Sequence, residues 1–494
     1  MKYISTRDTG VSPVGVSSAE AIKKGLAPDK GLYMPVSIPK VDIEFIKRLC
    51  SMSYDRRAAE ILSLFLDDYD RDSLAKDCRE AYGSTRFTGG AAPLKAVGGN
   101  MYSLELWHGP TCAFKDMALQ IMPRLLSSAL KITGERRRAH ILVATSGDTG
   151  KAALEGYKDV DGVDITVFYP VDGVSAMQKR QMTTQTGDNV NVCAVRGNFD
   201  DAQNGVKAIF ADSAMANEAE KRGFFFSSAN SINWGRLAPQ IVYYFSAYCD
   251  LMNKYSLAAG EQINVCVPTG NFGNIFAAYI AREMGLPVKR FICASNSNCV
   301  LTDFIRTGVY DRTREFFKTM SPSMDILISS NLERLLFLTG GAEVTKDCME
   351  KLSACGKYTA PDTVMAKIRD SFEGYCCTED ETADAIRRTF EKYGYLADTH
   401  TAVAIGSYEK YASDTGDATP TVVVSTASPY KFAYDVCCAL GTVPDGDDPA
   451  VILSTLERIS NTKAPAPLTA TLTMPLRFKD TVDPADMAKY ILEH

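Results

Sequence analysis

The chain has 494 residues, too many for one ordinary hydrophobic core, which predicts two or three packed units. Its hydrophobic share of 46% and charged share of 23% are typical of a soluble globular protein. The net charge of −6 argues against binding to a nucleic-acid backbone.

The fourteen cysteines are scattered, form no Cys-x-x-Cys pair, and lie partly in apolar stretches, as Cys193, Cys266 and Cys293 do. Buried free thiols in a reducing compartment explain this pattern better than disulfides. The four histidines lack the spacing of a metal site, so we expect no metal. Because the first residues, MKYISTRDTG, lack a signal-peptide pattern and no uncharged stretch reaches spanning length, we expect a cytoplasmic protein without membrane association.

Residues 1–95 mix short helical patterns with loops and predict an N-terminal domain. From 96 to 440, short apolar runs alternate with amphipathic segments, which predicts a parallel α/β core of two sub-domains. Its segment from about 310 to 395 is more charged and helical, and 441–494 is predicted to be a C-terminal extension packed on the core. The predicted strands are 101–107, 140–145, 164–170, 189–195, 224–230, 263–269, 289–295 and 421–428.

Ligands of open α/β sheets bind beyond the carboxyl ends of the strands, so the residues that follow each strand are informative. The strand at 101–107 is followed by HGPTCAFKD, in which Lys115 stands near a helix start, after apolar residues. Loss of water there would lower the pKa of the amine, as a Schiff-base lysine requires. The alternative is a solvated lysine near a helix N-terminus.

The strand at 140–145 is followed by SGDTG, a turn of small residues from Ser146 to Gly150 that leads into a helix. Such a turn offers backbone N–H groups and hydroxyls to an anion, although an ordinary helix cap has the same composition. The strand at 263–269 is followed by GNFGN, where Gly270 and Gly273 allow close wrapping before a helix N-terminus. This second turn predicts a phosphate cradle.

The strand at 224–230 leads into NSINWGR, which carries Asn230, Ser231 and Arg236. The guanidinium of Arg236 is suited to two-point contact with a phosphate or carboxylate, whereas the alternative is a capped helix with a surface arginine. Taken together, the four strand ends predict a site that holds at least two anionic groups beside a reactive amine.

These segments together resemble the threonine synthase family, fold-type II pyridoxal-phosphate enzymes related to the tryptophan synthase β subunit. HGPT-x-AFKD and STA-x-P-x-KF are specific to this family, while SGDTG and GN-x-GN are shared more widely. The arrangement looks closest to the longer branch of fungi and many bacteria. The matching segments are YISTRDTG (3–10), KKGLAPDKGLYMP (23–35), HGPTCAFKD (108–116), ATSGDTGKAA (144–153), NSINWGR (230–236), PTGNFGN (268–274), MDILISSNLERLL (324–336), DTHTAVA (398–404) and STASPYKF (425–432).

The resemblance implies a parallel-sheet α/β architecture of fold type II with a smaller N-terminal domain, and pyridoxal 5′-phosphate as cofactor. Lys115 is then the catalytic lysine that binds the cofactor as a Schiff base and transfers protons. Thr426 faces the pyridine nitrogen and Asp148 lies beside the 3′-hydroxyl. The residues implied to hold the cofactor phosphate are Gly270, Asn271, Phe272 and Asn274.

The implied reaction converts O-phospho-L-homoserine and water to L-threonine and phosphate, in a monomer or homodimer. The nearest alternative is a related phospho-lyase or dehydratase that releases 2-oxobutyrate. Two residues depart from the usual family motif, since Ser428 and Tyr430 replace histidine and alanine. The residues implied to contact the substrate are Thr145, Ser146 and Thr149 at its carboxylate, and Asn230, Ser231 and Arg236 at its phosphate.

Overall fold

The computed structural model describes residues 1–11, 14–145, 147–171 and 174–494. Within these ranges, no helix has both the length and the apolar character needed to cross a membrane. The strands in chain order are β1 (Tyr3–Ser5), β2 (Tyr33–Pro35), β3 (Leu94–Gly98), β4 (Met101–Glu105), β5 (Arg138–Ala144), β6 (Val163–Pro170), β7 (Val190–Val195), β8 (Phe224–Ser227), β9 (Ile263–Pro268), β10 (Val288–Ser295), β11 (Val309–Asp311), β12 (Lys357–Thr359), β13 (Phe372–Cys376), β14 (Thr421–Ser425) and β15 (Thr481–Val482).

The α-helices are numbered in the same way, and short 3-10 helices cover Pro322–Met324, Pro429–Phe432 and Pro484–Asp486. Helix α14 is interrupted at Gly341, whose backbone is not helical. The helices are α1 (Ser18–Lys24), α2 (Ile43–Cys50), α3 (Tyr54–Ser63), α4 (Arg71–Tyr82), α5 (Asp116–Leu119), α6 (Met122–Ile132), α7 (Asp148–Tyr157), α8 (Ala176–Thr183), α9 (Phe199–Ala211), α10 (Ser213–Lys221), α11 (Trp234–Tyr255), α12 (Gly273–Met284), α13 (Val300–Thr307), α14 (Leu332–Cys355), α15 (Asp362–Arg369), α16 (Glu379–Tyr393), α17 (Thr399–Thr415), α18 (Ala433–Ala439), α19 (Pro449–Ser460), α20 (Ala466–Thr471) and α21 (Met487–Glu493).

The N-terminal part, from β1 to α4, combines an antiparallel strand pair with four helices. Helices α1, α2 and α4 begin where the side chains of Ser17, Asp42 and Asp70 accept a backbone N–H of the first turn. Helices α2 and α3 pack against α11, so their apolar faces join the main core.

The larger sheet has the strand order β13-β10-β9-β14-β4-β3 in the part of the chain that the structure describes. Its neighbouring strands run parallel, except that β3 pairs antiparallel with β4. Strands β9 and β14 are buried at every position, and the apolar runs 265–268 and 422–424 make up most of their length.

The smaller sheet has the order β15-β7-β6-β5-β8 and is parallel throughout its described strands. Its edge strand β15 comes from the C-terminus and pairs with β7. Helix α11 packs against α5 and α12 and is buried from Trp234 to Leu251, which makes it the central helix of the core.

The predicted α/β architecture with parallel sheets is therefore confirmed, and each predicted core strand corresponds to an observed one. Strands β3 and β13 were not predicted, although both are edges of the larger sheet. The segment 310–395 has the expected helices α14 to α16 but also contributes β13. The division at 95/96 falls inside β3, and the segment after 440 contacts the core through α19, α20 and β15.

Candidate functional site

The predicted site segments follow neighbouring strands of the two sheets. In the larger sheet, β9, β14 and β4 are adjacent and are followed by the loop of Gly270, by Thr426 and by the loop of Lys115. In the smaller sheet, β5 and β8 are adjacent and lead to Asp148 and Arg236. Parallel neighbours end at the same sheet edge, so each sheet brings its own set of residues together.

The loop of Lys115 is bonded to the loop of Thr426 through the backbone. The N–H of Phe114 donates to the carbonyl of Thr426 at 2.7 Å, and the N–H of Ser428 donates to the carbonyl of Cys112 at 3.0 Å. These bonds fix the lysine relative to the threonine. The Thr426 side chain is buried, and its hydroxyl makes no hydrogen bond with the described residues.

Lys115 stands directly before α5, and its ammonium group is poorly solvated. Burial lowers the pKa of this amine to about 8, while the Asp148 carboxylate raises it and the charges of Arg236 and Lys431 lower it. Lys115 is therefore within electrostatic reach of Asp148 and Arg236, two other predicted site residues. An amine with this pKa has a substantial neutral, nucleophilic fraction near neutral pH.

Asp148, at the start of α7, forms an ion pair with a lysine that the sequence analysis assigned no role. The Nζ of Lys431 lies 2.7 Å from Oδ1 of Asp148, and its side chain is fully buried. Gln178 Nε2 also donates to this oxygen, at 3.1 Å. Burial alone would raise the pKa of Asp148, but Lys431 and Lys115 together hold it well below its usual range.

The turn between β5 and α7 is shaped by Thr145 and Gly147. The hydroxyl oxygen of Thr145 accepts the N–H groups of Gly147 and Gly150, each at 3.0 Å. Gly147 has φ of 149°, and a Cβ there would lie 2.4 Å from the Gln178 side chain, so glycine is required. The Thr145 hydroxyl thus stabilises the turn, and contact with a substrate carboxylate remains a prediction.

Three further predicted substrate contacts are at least partly exposed. Thr149 is partly exposed, Asn230 is exposed, and Ser231, which is partly exposed, donates to Asn230 Oδ1 at 3.3 Å. Ser146, which was also predicted to contact the substrate, lies outside the described residues.

The loop from Gly270 to Phe272 has the features of an anion cradle. Its three backbone N–H groups donate no hydrogen bond to any described residue. A Cβ at Gly270 would lie 2.7 Å from the carbonyl oxygen of Ser323, so a larger residue would displace the loop. Phe272 has φ of 63° and directly precedes α12, so the free N–H groups adjoin a helix N-terminus.

Asn274, the last predicted cradle residue, is anchored by two tyrosines of α11. Its Oδ1 accepts the hydroxyls of Tyr243 at 2.6 Å and Tyr244 at 2.5 Å. Its Nδ2 is buried and has no partner among the described residues, so it remains available as a donor.

A segment before and within α14 joins the cradle to the loop of Ser231. The backbone N–H and the Nδ2 of Asn331 both donate to the carbonyl of Asn271 at 3.0 Å, and Nδ2 also reaches the carbonyl of Ser231 at 3.4 Å. Arg334 donates to the carbonyl of Ile232 at 2.6 Å. These two residues belong to the MDILISSNLERLL motif, but the motif gave no indication of this contact.

Arg236 lies in the first turn of α11 with only 4% of its surface exposed, so the interpretation as a surface arginine is wrong. Its Nη1 donates to the carbonyl of Ala229, while its buried Nε has no partner in the described ranges. Burial lowers the pKa of its guanidinium to about 10. No described carboxylate pairs with this charge, which is the arrangement expected of an anion site.

These groups fit pyridoxal phosphate. Lys115 offers an amine for the aldehyde, the N–H groups around Gly270 suit the phosphate, and the free Thr426 hydroxyl suits the pyridine nitrogen. Arg236 remains available for a second anion.

Three family models match the chain. "Threonine synthase N terminus" matches residues 2–82, "Pyridoxal-phosphate dependent enzyme" matches 85–427, and "Threonine synthase, C-terminal" matches 401–491.

Sequence comparison with individual proteins indicates the same family. Threonine synthase of Pseudomonas aeruginosa is 40% identical over 87% of this chain and 89% of its own length. The human protein "Threonine synthase-like 1" is 40% identical over 85% of this chain, which spans only 58% of the human protein's length.

Solved structures show the same likeness. Pyridoxal-phosphate-bound threonine synthase of Brucella melitensis has a TM-score of 0.88 and 37% identity, covering 100% of this chain and 99% of that one. The yeast enzyme has a TM-score of 0.89 and 30% identity, covering 100% and 98%. The chain therefore belongs to the threonine synthase family of pyridoxal-phosphate-dependent lyases.

Proposed function

We propose that the chain converts O-phospho-L-homoserine and water to L-threonine and phosphate, the last step of threonine biosynthesis. The observation that supports this substrate is the buried guanidinium of Arg236, which has no carboxylate partner among the described residues and whose charge acts on the amine of Lys115. A substrate with its own phosphate needs an anion site in addition to the cofactor cradle, and Arg236 provides one.

Lys115 is the residue that we assign to covalent binding of pyridoxal phosphate and to proton transfer. When bound, the cofactor withdraws electrons from the substrate and so stabilises negative charge on its carbon atoms. Nζ of Lys115, when it is not bound to the cofactor, would accept the Cα proton and move protons at Cβ. One lysine can serve several steps only if it is held in place, which the backbone bonds between its loop and that of Thr426 provide.

The substrate is held by two groups of residues. Arg236, with Asn230 and Ser231, binds the substrate phosphate and stabilises the charge that it gains as its bond to Cγ breaks. Cγ then gains a proton carried by Lys115 and becomes the methyl group, and water adds its hydroxyl at Cβ. The residues that we assign to the substrate carboxylate are Thr145, Ser146 and Thr149.

Residues that follow strands of both sheets would hold the cofactor. Backbone N–H groups of the cradle would bind its phosphate, the Thr426 hydroxyl would serve its ring nitrogen, and Asp148 would serve its 3′-oxygen. The cradle residues in this assignment are Gly270, Asn271, Phe272 and Asn274.

We also propose that the protein acts in the cytoplasm as a monomer or homodimer. All fourteen cysteines lie within the described residues and are free, which supports a reducing compartment.

The reaction is tested by incubating the enzyme with O-phosphohomoserine and measuring threonine, phosphate and 2-oxobutyrate together. We expect threonine and phosphate in equal amounts. If 2-oxobutyrate is the main product, the chain is a phospho-lyase or dehydratase and the proposal is wrong.

The covalent assignment is tested by borohydride reduction and peptide mapping. We expect the label on Lys115, and Lys115→Ala should lower turnover by several orders of magnitude because nucleophile and proton carrier are lost together. The site contains a second buried lysine, Lys431, so a label on Lys431 would refute the assignment.

A further inference from the structure

Lys431 is a charged group at the centre of the site that the proposed mechanism does not use. Its side chain is fully buried, although lysine is rarely buried without a partner. It lies one residue before Phe432 in the 3-10 helix that follows β14 and Thr426.

Two contacts define the place of Lys431. Its Nζ forms the 2.7 Å ion pair with Asp148 and also donates to the carbonyl of Thr111 at 3.0 Å. Thr111 in turn donates its N–H and hydroxyl to the carboxylate of Asp116, at 2.8 Å and 2.7 Å. Asp116 is the chain neighbour of Lys115, so Lys431 joins the loop of the reactive lysine to the start of α7.

The charge of Asp148 makes this pairing important. In the proposed function, on which this step depends, Asp148 lies beside the 3′-oxygen of the cofactor. An unpaired carboxylate buried there would repel an oxygen that carries negative charge. Paired with Lys431, it presents hydrogen-bonding atoms without a net charge.

We propose that Lys431 is a positioning residue, which holds Asp148 in place and balances its charge where the cofactor ring binds. Lys431 touches neither the reacting carbons nor the phosphates in this scheme. It acts through Asp148 and through the loop of Lys115.

The test measures equilibrium binding of pyridoxal phosphate to the apoenzyme of four proteins: the parent, Lys431→Met, Asp148→Asn and the double variant. Lys431→Met leaves an unpaired buried carboxylate and should weaken cofactor binding by at least about 30-fold. The double variant replaces the ion pair by two neutral groups, so it should bind the cofactor at least about fivefold more tightly than Lys431→Met, although it lacks the Asp148 contact of the parent.

Lys151 offers a matched control. It is a buried lysine of α7, but it pairs with Glu155 at 3.4 Å rather than with Asp148. Lys151→Met should therefore change cofactor affinity by less than about threefold, whatever it does to the melting temperature.

The proposal is overturned if Lys431→Met binds the cofactor as tightly as the parent, or if the double variant binds no better than Lys431→Met. If Lys431→Met does not fold, the double variant alone tests the proposal. The proposal then requires that the double variant folds and binds the cofactor. The cofactor-binding measurement contains no substrate, so its outcome does not depend on which reaction the enzyme catalyses. If the parent formed no threonine, the proposed function would be refuted and the measured cofactor affinities would still stand.

Discussion

Replacement of Arg236 by methionine tests the substrate-phosphate site most directly. Methionine keeps much of the side-chain volume and removes the charge. It leaves the proposed covalent bond between cofactor and Lys115 intact, so the visible absorbance of the bound cofactor should be retained. We expect the loss to appear in turnover of O-phosphohomoserine.

The size of the effect follows from the burial of Arg236. Its pKa of about 10 is well below the usual value for a guanidinium, which corresponds to roughly 3 kcal/mol of unfavourable free energy for the buried charge. A bound phosphate would offset this cost. Loss of a charged partner in such a site costs about 2–5 kcal/mol, or roughly 30-fold to several thousandfold in kcat/KM.

The assay compares kcat/KM, inhibition by inorganic phosphate and melting temperature of the apoenzyme. Phosphate should inhibit the variant far more weakly than the parent. The melting temperature should be unchanged or higher, because the variant no longer buries an unpaired charge.

Arg57 provides the control, since it is a buried arginine with an acidic neighbour, Asp250, at 3.5 Å. Arg57→Met should lower the melting temperature and leave kcat/KM nearly unchanged. If Arg236→Met behaves in the same way, with kcat/KM within about threefold of the parent, Arg236 only stabilises the fold and the phosphate site lies elsewhere.

Two further predictions concern the cofactor. Gly270→Val should reduce retention of pyridoxal phosphate at least about tenfold in dialysis, because its Cβ would press on the Ser323 carbonyl. Gly273→Ala should have a smaller effect, because its Cβ would lie 3.2 Å from Asn331 Nδ2. If Gly270→Val retained as much cofactor as the parent, the cradle would lie elsewhere. The rate of covalent cofactor binding to the apoenzyme should rise with pH around a midpoint near 8, because only the neutral amine of Lys115 attacks. Arg236→Met should move this midpoint upward, and a midpoint near the ordinary lysine value in the parent would contradict the assignment.

The strands that the sequence predicted share one physical property. Strands of a covered parallel sheet are mostly apolar on both faces, so β9 and β14 contain the unbroken apolar runs 265–268 and 422–424. Strand β3 is an edge strand with exposed Lys95 and Ala96, and β13 contains Gly374 and a partly exposed Glu373. Neither gives the pattern of a buried strand, so both were missed.

Some parts of the candidate site could be predicted from local sequence, and other parts depend on the tertiary structure. Turn composition and position after a strand identified the loops of Lys115 and Gly270, because those signals are local in sequence. The burial of Arg236 depends on α11, which is buried on all sides over most of its length. The partners Lys431 and Asp148 follow strands of different sheets, β14 and β5, and no local sequence pattern indicates which residues of the two segments meet.

The three cations of the site differ in how their charge is compensated, and this difference indicates a different role for each. Lys431 is paired with Asp148 at 2.7 Å. Burial lowers the pKa of Lys115 to about 8, so part of its amine is neutral near neutral pH. Arg236 cannot lose its proton in this range and has no described carboxylate partner, so its charge is compensated only when an anion binds. In the proposed function, a structural lysine, a reactive lysine and a ligand-binding arginine are therefore distinguished by their partners rather than by their positions in the sequence.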